Sequence, residues 1–302
     1  MSQVVITHNQ NIGTAIAAAL QHIDLRPLVE GRLVAVKVNE TWASGEDTSG
    51  VTQPDTLRAV LDAVRQFQPR ELVVTGGAGA AETDDVFRIA GLMDVVQEAG
   101  ATFFDHNRAP FVSVDLSDEP GADVRSPQQS VMINPRILDY ETLIAVNQLK
   151  LHATATVTMA LKNIAMSFPA ADYYGHPRSK EKHEHAFFDD MHSFIAVMAR
   201  RFSIDLALTV GHPAMIGTGP LGGHTFETGL AIASTDALAA DVAGARLLGF
   251  QVQAVRHLWE ARRLGLGQTD LDAIDFPVLS MKEAIRIFTK AAYGKELDFK
   301  HA

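Results

Sequence analysis

The sequence predicts an α/β fold in which a mostly parallel sheet carries helices on both faces. Short runs rich in β-branched residues alternate with longer segments of helical periodicity along the 302 residues, and this alternation is typical of parallel strands joined by crossover helices. Hydrophobic residues make up 47% of the chain and charged residues 21%, which is enough to bury one large core or two moderate ones. We therefore expect one α/β domain over residues 1–302, with two lobes at most.

Short apolar runs predict the strands, because each run is bounded by polar residues, glycine or proline. The predicted strands are residues 4–6, 33–38, 72–75, 102–104, 111–116, 143–147, 206–210 and 230–233. None of these runs approaches the roughly 18 apolar residues that a membrane-spanning helix needs. We therefore predict no membrane partner.

Apolar residues at helical spacing fill the segments between the strands. Ile12, Ile16 and Leu20 share one face of the first predicted helix, and Thr52 to Asp55 begin the second with a capping hydroxyl, a proline and an acid. Further helices are predicted at residues 84–89, 92–99, 158–166 and 183–201, and from residue 235 onwards. Residues 117–130 are rich in turn-forming residue types, so we expect a loop excursion or a lobe boundary there.

The composition excludes several classes of function. Lys plus Arg total 26 against 36 for Asp plus Glu, a net charge of -10, which has the wrong sign for binding the nucleic-acid backbone. The absence of cysteine excludes disulfides, thiolate metal sites, cysteine nucleophiles and iron–sulfur clusters ligated by this chain. The first residues lack a secretory pattern, so we expect a cytoplasmic protein, and a homodimer is the commonest state for such enzymes.

Two glycine-rich segments are candidate ligand loops. The first, Gly76-Gly77-Ala78-Gly79, lies between a predicted strand and a helix, where backbone amides can bind an anion. The second, residues 217–222, has G-x-G-x-x-G spacing but precedes a strand, so it does not predict a dinucleotide site. We name Gly76, Gly77, Gly219 and Gly222 as substrate-binding candidates. The alternative is that each loop only makes a tight turn.

The strongest catalytic candidates surround the end of one predicted strand. Lys150 and His152 are two residues apart, and they share one face if the chain is extended. The following helix carries Lys162 next to Asn163. Open α/β sheets bind ligands at the carboxyl ends of their strands, so we predict catalytic roles for Lys150, His152 and Lys162. The alternative is a solvated strand end with ordinary surface lysines. Further substrate-binding candidates are Lys37, Asn39, Asn147 and Asn163.

Asp241 is a fourth catalytic candidate. It lies between Leu238 and Val242 on the inward face of a predicted helix, and a buried carboxylate needs a hydrogen-bonded, cationic or metal partner. Lys150 and Lys162 are the candidate cations. A purely structural ion pair is the alternative.

A histidine-rich stretch from His176 to His192 suggests a metal site, since His185, Asp189 and His192 share a helical face. The apolar residues of the same helix lie on its opposite side, so a solvated face is favoured for these three residues. His183 lies at the edge of the apolar stripe. We therefore name His152 and His183 as candidate ligands of a divalent metal.

An ordered set of motifs carries a family resemblance. The motifs are Lys37-Val38-Asn39, Thr52-Gln53-Pro54, the glycine turn after Val74, residues 147–152, Leu161-Lys162-Asn163, residues 219–222 and Thr235-Asp236 with Asp241. Through them, residues from about 33 to 250 resemble the domain-of-unknown-function family 362, and residues 251–302 are expected to be a helical extension. Family members usually have proline and glycine where this chain has Val38 and Ala155.

The resemblance implies a fold more than a reaction, since the family's chemistry is largely unassigned and a fold does not dictate a function. Many relatives carry a ferredoxin-like module with cysteines, so the lack of cysteine leaves little support for a redox role. The order Lys-x-His, then Lys-Asn, is also distantly similar to the nickel-pincer lactate racemases, in which histidine and lysine serve a hydroxyacid site.

Two functional hypotheses follow from these observations. The first is an enzyme acting on a small anionic metabolite, a carboxylate or phosphate ester, by acid–base or metal-assisted chemistry of isomerase or lyase type. Its lysines would neutralise the anion, and local cations decide the sign of the ligand in spite of the net charge. The second is a non-catalytic carrier of a metal or cofactor that uses the region from His176 to His192.

Overall fold

The computed structural model describes residues 2–117, 123–171 and 190–299. Its strands are β1 (Val5–His8), β2 (Leu33–Lys37), β3 (Glu71–Gly76), β4 (Thr102–Asp105), β5 (Val112–Asp115), β6 (Ser130–Ile133), β7 (Thr142–His152), β8 (Thr156–Val157), β9 (Leu206–Ile216), β10 (His224–Phe226) and β11 (Leu230–Ser234). Its helices are α1 (Ile12–Leu20), α2 (Arg26–Val29), α3 (Pro54–Arg65), α4 (Thr83–Ile89), α5 (Leu92–Glu98), α6 (Ala160–Ser167), α7 (Met191–Arg201), α8 (Ala237–Leu247), α9 (Arg256–Arg263) and α10 (Met281–Tyr293).

The main sheet has the strand order β1-β11-β9-β7-β2-β3-β4. The five strands from β9 to β4 are parallel. At one edge β11 pairs antiparallel with β9, and β1 pairs antiparallel with β11. The short strands β8 and β10 extend the sheet, and β5 pairs with β6 in a separate hairpin. The predicted α/β class and the mostly parallel sheet are confirmed.

Apolar layers cover both faces of the sheet. Val34 and Val36 of β2 pack in one layer with α1, α3, α4 and α5, and Ala35 packs in the other layer with α6 to α10. This follows from the alternation of side chains along a strand. The predicted helices on both faces are confirmed. No helix among the described ranges has the length and apolar character needed to cross a bilayer.

Two strands are longer than the sequence predicts. Strand β7 continues to His152 and β9 to Ile216, and their pairing shifts register between Gln148 and Lys150. The last part of β7 carries polar side chains that are nevertheless buried. The apolar pattern that predicts the earlier part of β7 therefore ends before the strand does. The longer β7 places Lys150 and His152 at its carboxyl end.

The predicted loop excursion at 117–130 connects the two strands of the β5–β6 hairpin; residues 118–122 of it lie outside the described ranges. Val124 of this connection packs in the same apolar layer as α6 to α10. The histidine-rich candidates His176, His183 and His185 also lie outside the described ranges. The solvated position predicted for His192 is wrong, because its ring is half-buried and stacked on His257 with 5.6 Å between ring centroids.

Candidate functional site

A cavity of about 230 Å³ lies at the carboxyl ends of the parallel strands, the position at which open α/β sheets bind ligands. It brings together seven of the predicted site residues: Asn39, Gly77, Lys150, His152, Lys162, Asn163 and Gly219. The candidates Lys37, Gly76, Asn147, Gly222 and Asp241 lie outside its lining.

Lys150 reaches the cavity from the end of β7. Its Nζ donates to the carbonyl oxygen of Gly50 at 2.6 Å and to Oε1 of Gln148 at 3.4 Å. Burial lowers the pKa of Lys150 from 10.5 to about 7, and the charge of Lys162 acts in the same direction. An amine with this pKa changes its charge at neutral pH, which suits acid–base chemistry.

Lys162 lies in the first turn of α6 and is 7% exposed. Burial lowers its pKa to about 7. Within the described part of the chain, its Nζ has neither a hydrogen bond nor an ion pair, although it lines the cavity. The two lysines therefore differ: Lys150 Nζ is held by two hydrogen bonds, whereas no described residue bonds to Lys162 Nζ.

His152 has a defined proton arrangement. Its Nδ1 accepts hydrogen bonds from the backbone amides of Thr154 and Ala155, each at 3.1 Å. A ring nitrogen that accepts from two N–H groups carries no proton, so the neutral ring holds its proton on Nε2. In this form Nε2 is a hydrogen-bond donor.

The same arrangement bears on metal binding. A histidine that binds a metal through one nitrogen ordinarily donates from the other, whereas Nδ1 of His152 accepts from Thr154 and Ala155. Among the described residues, no three His, Asp or Glu side chains are grouped to hold a metal ion. The donor set around His152 does not fit a divalent metal or a nickel cofactor bound through Nε2. The other proposed ligand, His183, lies outside the described ranges.

Lys37, which the sequence analysis names as a substrate-binding candidate, does not line the cavity. It is fully buried, and its Nζ lies 2.6 Å from Oε2 of Glu40 and 3.0 Å from Oδ1 of Asn163. Burial lowers the pKa of Lys37, and the charge of Glu40 opposes this shift. Lys37 therefore neutralises Glu40 below the cavity instead of contacting a ligand.

Glu40 was missed by the sequence analysis, although it lines the cavity. Its Oε1 accepts from the amide of Gly77 at 2.9 Å and from the hydroxyl of Ser167 at 3.2 Å. A signal was present, because Glu40 lies three residues after Lys37 just beyond the end of β2. The other missed polar lining residues are Thr41, Thr154, Thr158 and Ser167.

The glycine turn after β3 is built for close packing. A Cβ on Gly77 would lie 2.6 Å from the carbonyl oxygen of Ser167, and one on Gly76 would lie 2.9 Å from the Phe87 ring. The amide of Gly77 already donates to Glu40, and the amide of Ala78 donates to Thr83. These two amides are occupied by protein acceptors, so neither is available to bind an anion.

Asn147 and Asn163 connect β7 to α6. Nδ2 of Asn163 donates to Oδ1 of Asn147 at 2.8 Å, and Asn147 donates to backbone carbonyls of β7 and β9. Asn147 is fully buried. The side chain of Asn147 therefore bonds α6 to the sheet, and of the two asparagines only Asn163 lines the cavity.

Asp241 is bonded to backbone amides rather than to a lysine. Its two carboxylate oxygens accept from the amides of Ala160 and Leu161, each at 2.9 Å, at the start of α6. Burial raises the pKa of Asp241 to about 7, and these two hydrogen bonds oppose the shift. The carboxylate satisfies amides that have no partner within the helix, so it fixes the helix that carries Lys162.

The residue before α6 has an unusual backbone. Met159 has φ 123°, outside the regions that non-glycine residues prefer. Helix α8 accommodates its side chain at Gly244, where a Cβ would lie 2.4 Å from the Met159 sulfur. Asp241 and Gly244, one turn apart on α8, therefore jointly determine how α6 begins.

Two loops complete the cavity. Thr41 belongs to the loop between β2 and α3, and Pro220 and Leu221 belong to the loop between β9 and β10. A Cβ on Gly50 would lie 2.7 Å from the Leu221 side chain, so the loops meet beside the Gly50 carbonyl that holds Lys150. The substrate-binding candidate Gly222 lies in the second loop with φ 70°, which suits a turn.

The family described as Domain of unknown function (DUF362) matches residues 34–246. The chain belongs to this family. The matched DUF362 region contains β2, β3, β7 and α6, and therefore every strand and helix that supplies a lysine to the site. The predicted family resemblance is confirmed.

One curated protein and one solved structure extend the comparison for this DUF362 chain. A thylakoid-associated protein of Synechocystis sp. is 26% identical over 262 residues, which cover 84% of this chain and 74% of that protein. The lactate racemase apoprotein from Thermoanaerobacterium thermosaccharolyticum has a similar fold, with a TM-score of 0.51 and 14% sequence identity. The match covers 83% of this chain and 57% of the racemase chain. At this identity the similarity shows the fold alone.

Proposed function

We propose that the protein is an enzyme that acts on a small carboxylate by acid–base chemistry of isomerase or lyase type. The observation that carries the proposal is the pair of buried lysines, Lys150 and Lys162, lining one cavity with pKa values of about 7. Perturbed titratable groups that converge on a cavity are typical of active sites.

The charges of the cavity favour an anion. Glu40 is the acidic side chain in the lining, and it is already paired with Lys37. When Lys150 and Lys162 are protonated, they leave a net positive charge in a region of low dielectric, where a bound anion is stabilised more than in water. A carboxylate or a phosphate ester meets this requirement.

The difference between the two lysines suggests their roles. Lys150, held by Gly50 and Gln148, pairs as an ammonium with the substrate carboxylate. Lys162, when neutral, accepts the proton from the carbon next to that carboxylate. The Nε2 proton of His152 hydrogen-bonds to the oxygen on which negative charge develops. Delivery of a proton to the opposite face of the carbon inverts its configuration and gives an isomerase, whereas loss of a neighbouring group gives a lyase.

The proposed reaction is tested by deuterium exchange. The protein is incubated in D₂O with a panel of small 2-hydroxy acids, and proton NMR follows the hydrogen on the carbon next to the carboxylate. We expect exchange with at least one acid and its loss in Lys162→Met. A matched control is Lys282→Met, which changes an exposed lysine of α10. Undiminished exchange in Lys162→Met would refute the assignment of the base.

The proposal includes a cytoplasmic location, homodimerisation, and the absence of nucleic acid among the partners. These are the predictions of the sequence analysis, and they concern the setting of the enzyme rather than its chemistry. Light scattering of the purified protein tests the homodimer through the molar mass in solution.

A further inference from the structure

The cavity is lined by one buried amine, that of Lys162, to which no described residue is hydrogen-bonded. Lys162 Nζ has neither a hydrogen bond nor an ion pair among residues 2–117, 123–171 and 190–299. Lys150 donates to two oxygens, and Lys37 is paired with Glu40. Of the three buried lysines, Lys162 therefore has the lone pair that is most available for a reaction.

The surroundings of Lys162 are those of an amine nucleophile. Amines become nucleophilic at neutral pH when burial and a neighbouring cation keep them unprotonated. Lys162 is 7% exposed and lines the same cavity as Lys150. Burial lowers the pKa of Lys162 to about 7, so a substantial fraction of the amine is neutral near that pH.

We propose that Lys162 forms a covalent imine with small 2-oxo acids. The Nζ lone pair attacks the carbonyl carbon, a C–N bond forms, and the carbonyl oxygen takes up a proton to give a carbinolamine. The hydroxyl group then leaves as water, and carbon and nitrogen become doubly bonded. The amine and the oxo acid together give the imine and one water, so the step needs no oxidant or reductant.

The second lysine selects the class of carbonyl compound. A 2-oxo acid places a carboxylate one bond from the reacting carbon, and Lys150 supplies a positive charge in the same cavity. Glu40 is paired with Lys37 at 2.6 Å, and its charge favours the protonated form of Lys150. A neutral ketone of the same size lacks the ion pair and is therefore expected to react less.

This inference rests on the proposed function only in that both place a carboxylate-bearing molecule in the same cavity. Proton abstraction needs the Lys162 lone pair at a C–H bond, whereas the imine needs it at a carbonyl carbon. Trapping the adduct does not require turnover, so the two proposals can fail separately.

Borohydride trapping tests the imine. The protein is incubated with pyruvate at neutral pH, sodium borohydride reduces any imine to a stable amine, and peptide mass mapping locates the modified lysine. We expect modification at Lys162 in preference to exposed lysines such as Lys282. Propanone, which lacks the carboxylate, should give much less modification at the same concentration.

Variants distinguish the cavity reaction from general lysine chemistry. Lys162→Arg keeps a cation and removes the nucleophile, so the adduct in the α6 peptide should be lost, whereas Lys282→Arg should leave it unchanged. Modification confined to exposed lysines of the unaltered protein would overturn the proposal, and so would modification of Lys150 in place of Lys162. Equal labelling by propanone would overturn the role of Lys150. Absence of the adduct in protein that exchanges deuterium would overturn the imine alone.

Discussion

Lys37 and Glu40 form a buried ion pair below the cavity, with 2.6 Å between Nζ and Oε2. Glu40 also accepts from Gly77 and Ser167, so one carboxylate holds together the ends of β2, β3 and α6. This pairing determines the character of the site, because among residues 2–117, 123–171 and 190–299 neither Lys150 nor Lys162 forms an ion pair with a carboxylate.

Substitution of Glu40 should therefore be costly. Glu40→Gln leaves Lys37 buried without its counter-charge. Removing one partner of a buried ion pair lowers the free energy of unfolding by about 3–5 kcal/mol. Urea denaturation measures this loss. The control Glu46→Gln changes an exposed acid of the same loop and should alter stability by less than about 0.5 kcal/mol. Equal effects of the two variants would show that the ion pair contributes nothing.

Lys162 should make stability depend on pH. Its pKa falls from 10.5 to about 7 on folding, so between these values the unfolded chain binds a proton that the folded chain does not. This contribution makes the free energy of unfolding rise with pH across that window. At roughly 1.4 kcal/mol per pKa unit, the rise amounts to several kcal/mol. Lys162→Met should abolish it and be more stable than the unaltered protein below pH 7.

Denaturation of Lys162→Met and Lys282→Met at several pH values checks this expectation. Only the cavity variant should reduce the slope of stability against pH, because Lys282 is exposed. Some slope should remain, since the pKa of Lys150 is also lowered to about 7. Parallel curves for Lys162→Met and the unaltered protein would contradict the lowered pKa of this lysine.

His212 should stabilise the protein in the opposite pH direction. Its Nε2 lies 2.9 Å from an Asp55 carboxylate oxygen and its Nδ1 lies 2.6 Å from Glu227, which raises the pKa of His212 from 6.5 to about 9. The stabilisation is complete below pH 6.5 and is lost as the pH rises through 9. Both carboxylates are more than half exposed, so we expect about 1 kcal/mol.

Thermal or urea denaturation of His212→Gln below and above that window measures the contribution. The variant should be less stable at the lower pH and approach the unaltered protein at the higher pH. His8→Gln, at an exposed position, provides the control. A stability deficit that does not change with pH would contradict the charged bridge.

Gly244 should tolerate no side chain. The added Cβ of Gly244→Ala would lie 2.4 Å from the sulfur of buried Met159, and overpacking of this kind costs about 1–3 kcal/mol. The control Gly13→Ala lies in α1, where the added Cβ would lie 3.2 Å from the side-chain oxygen of exposed Asn11 and 3.7 Å from Ala59, and alanine favours a helix by up to about 1 kcal/mol over glycine. Chemical denaturation should therefore show opposite signs for the two variants. A stabilised Gly244→Ala would contradict the close approach of α8 to Met159.

Local patterns predicted the fold and part of the site. The alternation of β-branched runs and helical segments identified the sheet, and the spacing of Lys150 and His152 placed them on one face of an extended strand. Both signals depend on neighbours in sequence. The full length of β7 was hidden because its last residues are polar and are buried by contacts from other segments.

The parts that were not predicted depend on contacts between distant segments. Asp241 caps a helix that begins 81 positions earlier, and no local pattern marks that partner. The glycines after β3 are needed for close packing against Phe87 and Ser167, although the same sequence is compatible with an anion-binding turn. Lys37 is the last residue of β2 and so lies at the same edge of the sheet as the cavity. Its pairing with Glu40, which the sequence does not reveal, shows that its amine bonds to the protein rather than lining the cavity.

Calorimetric titration with small carboxylates tests the central claim most directly. The unaltered protein, Lys150→Met, Lys162→Met and Lys282→Met are each titrated with lactate and pyruvate near neutral pH. We predict binding to the unaltered protein and to Lys282→Met, and at least about tenfold weaker binding to Lys150→Met, since loss of a partner in a buried charge pair costs 2 kcal/mol or more. Lys162→Met removes the base rather than the partner of the carboxylate, so its affinity should fall less. Equal affinity of all four proteins for these anions would contradict an anion site built from Lys150 and Lys162.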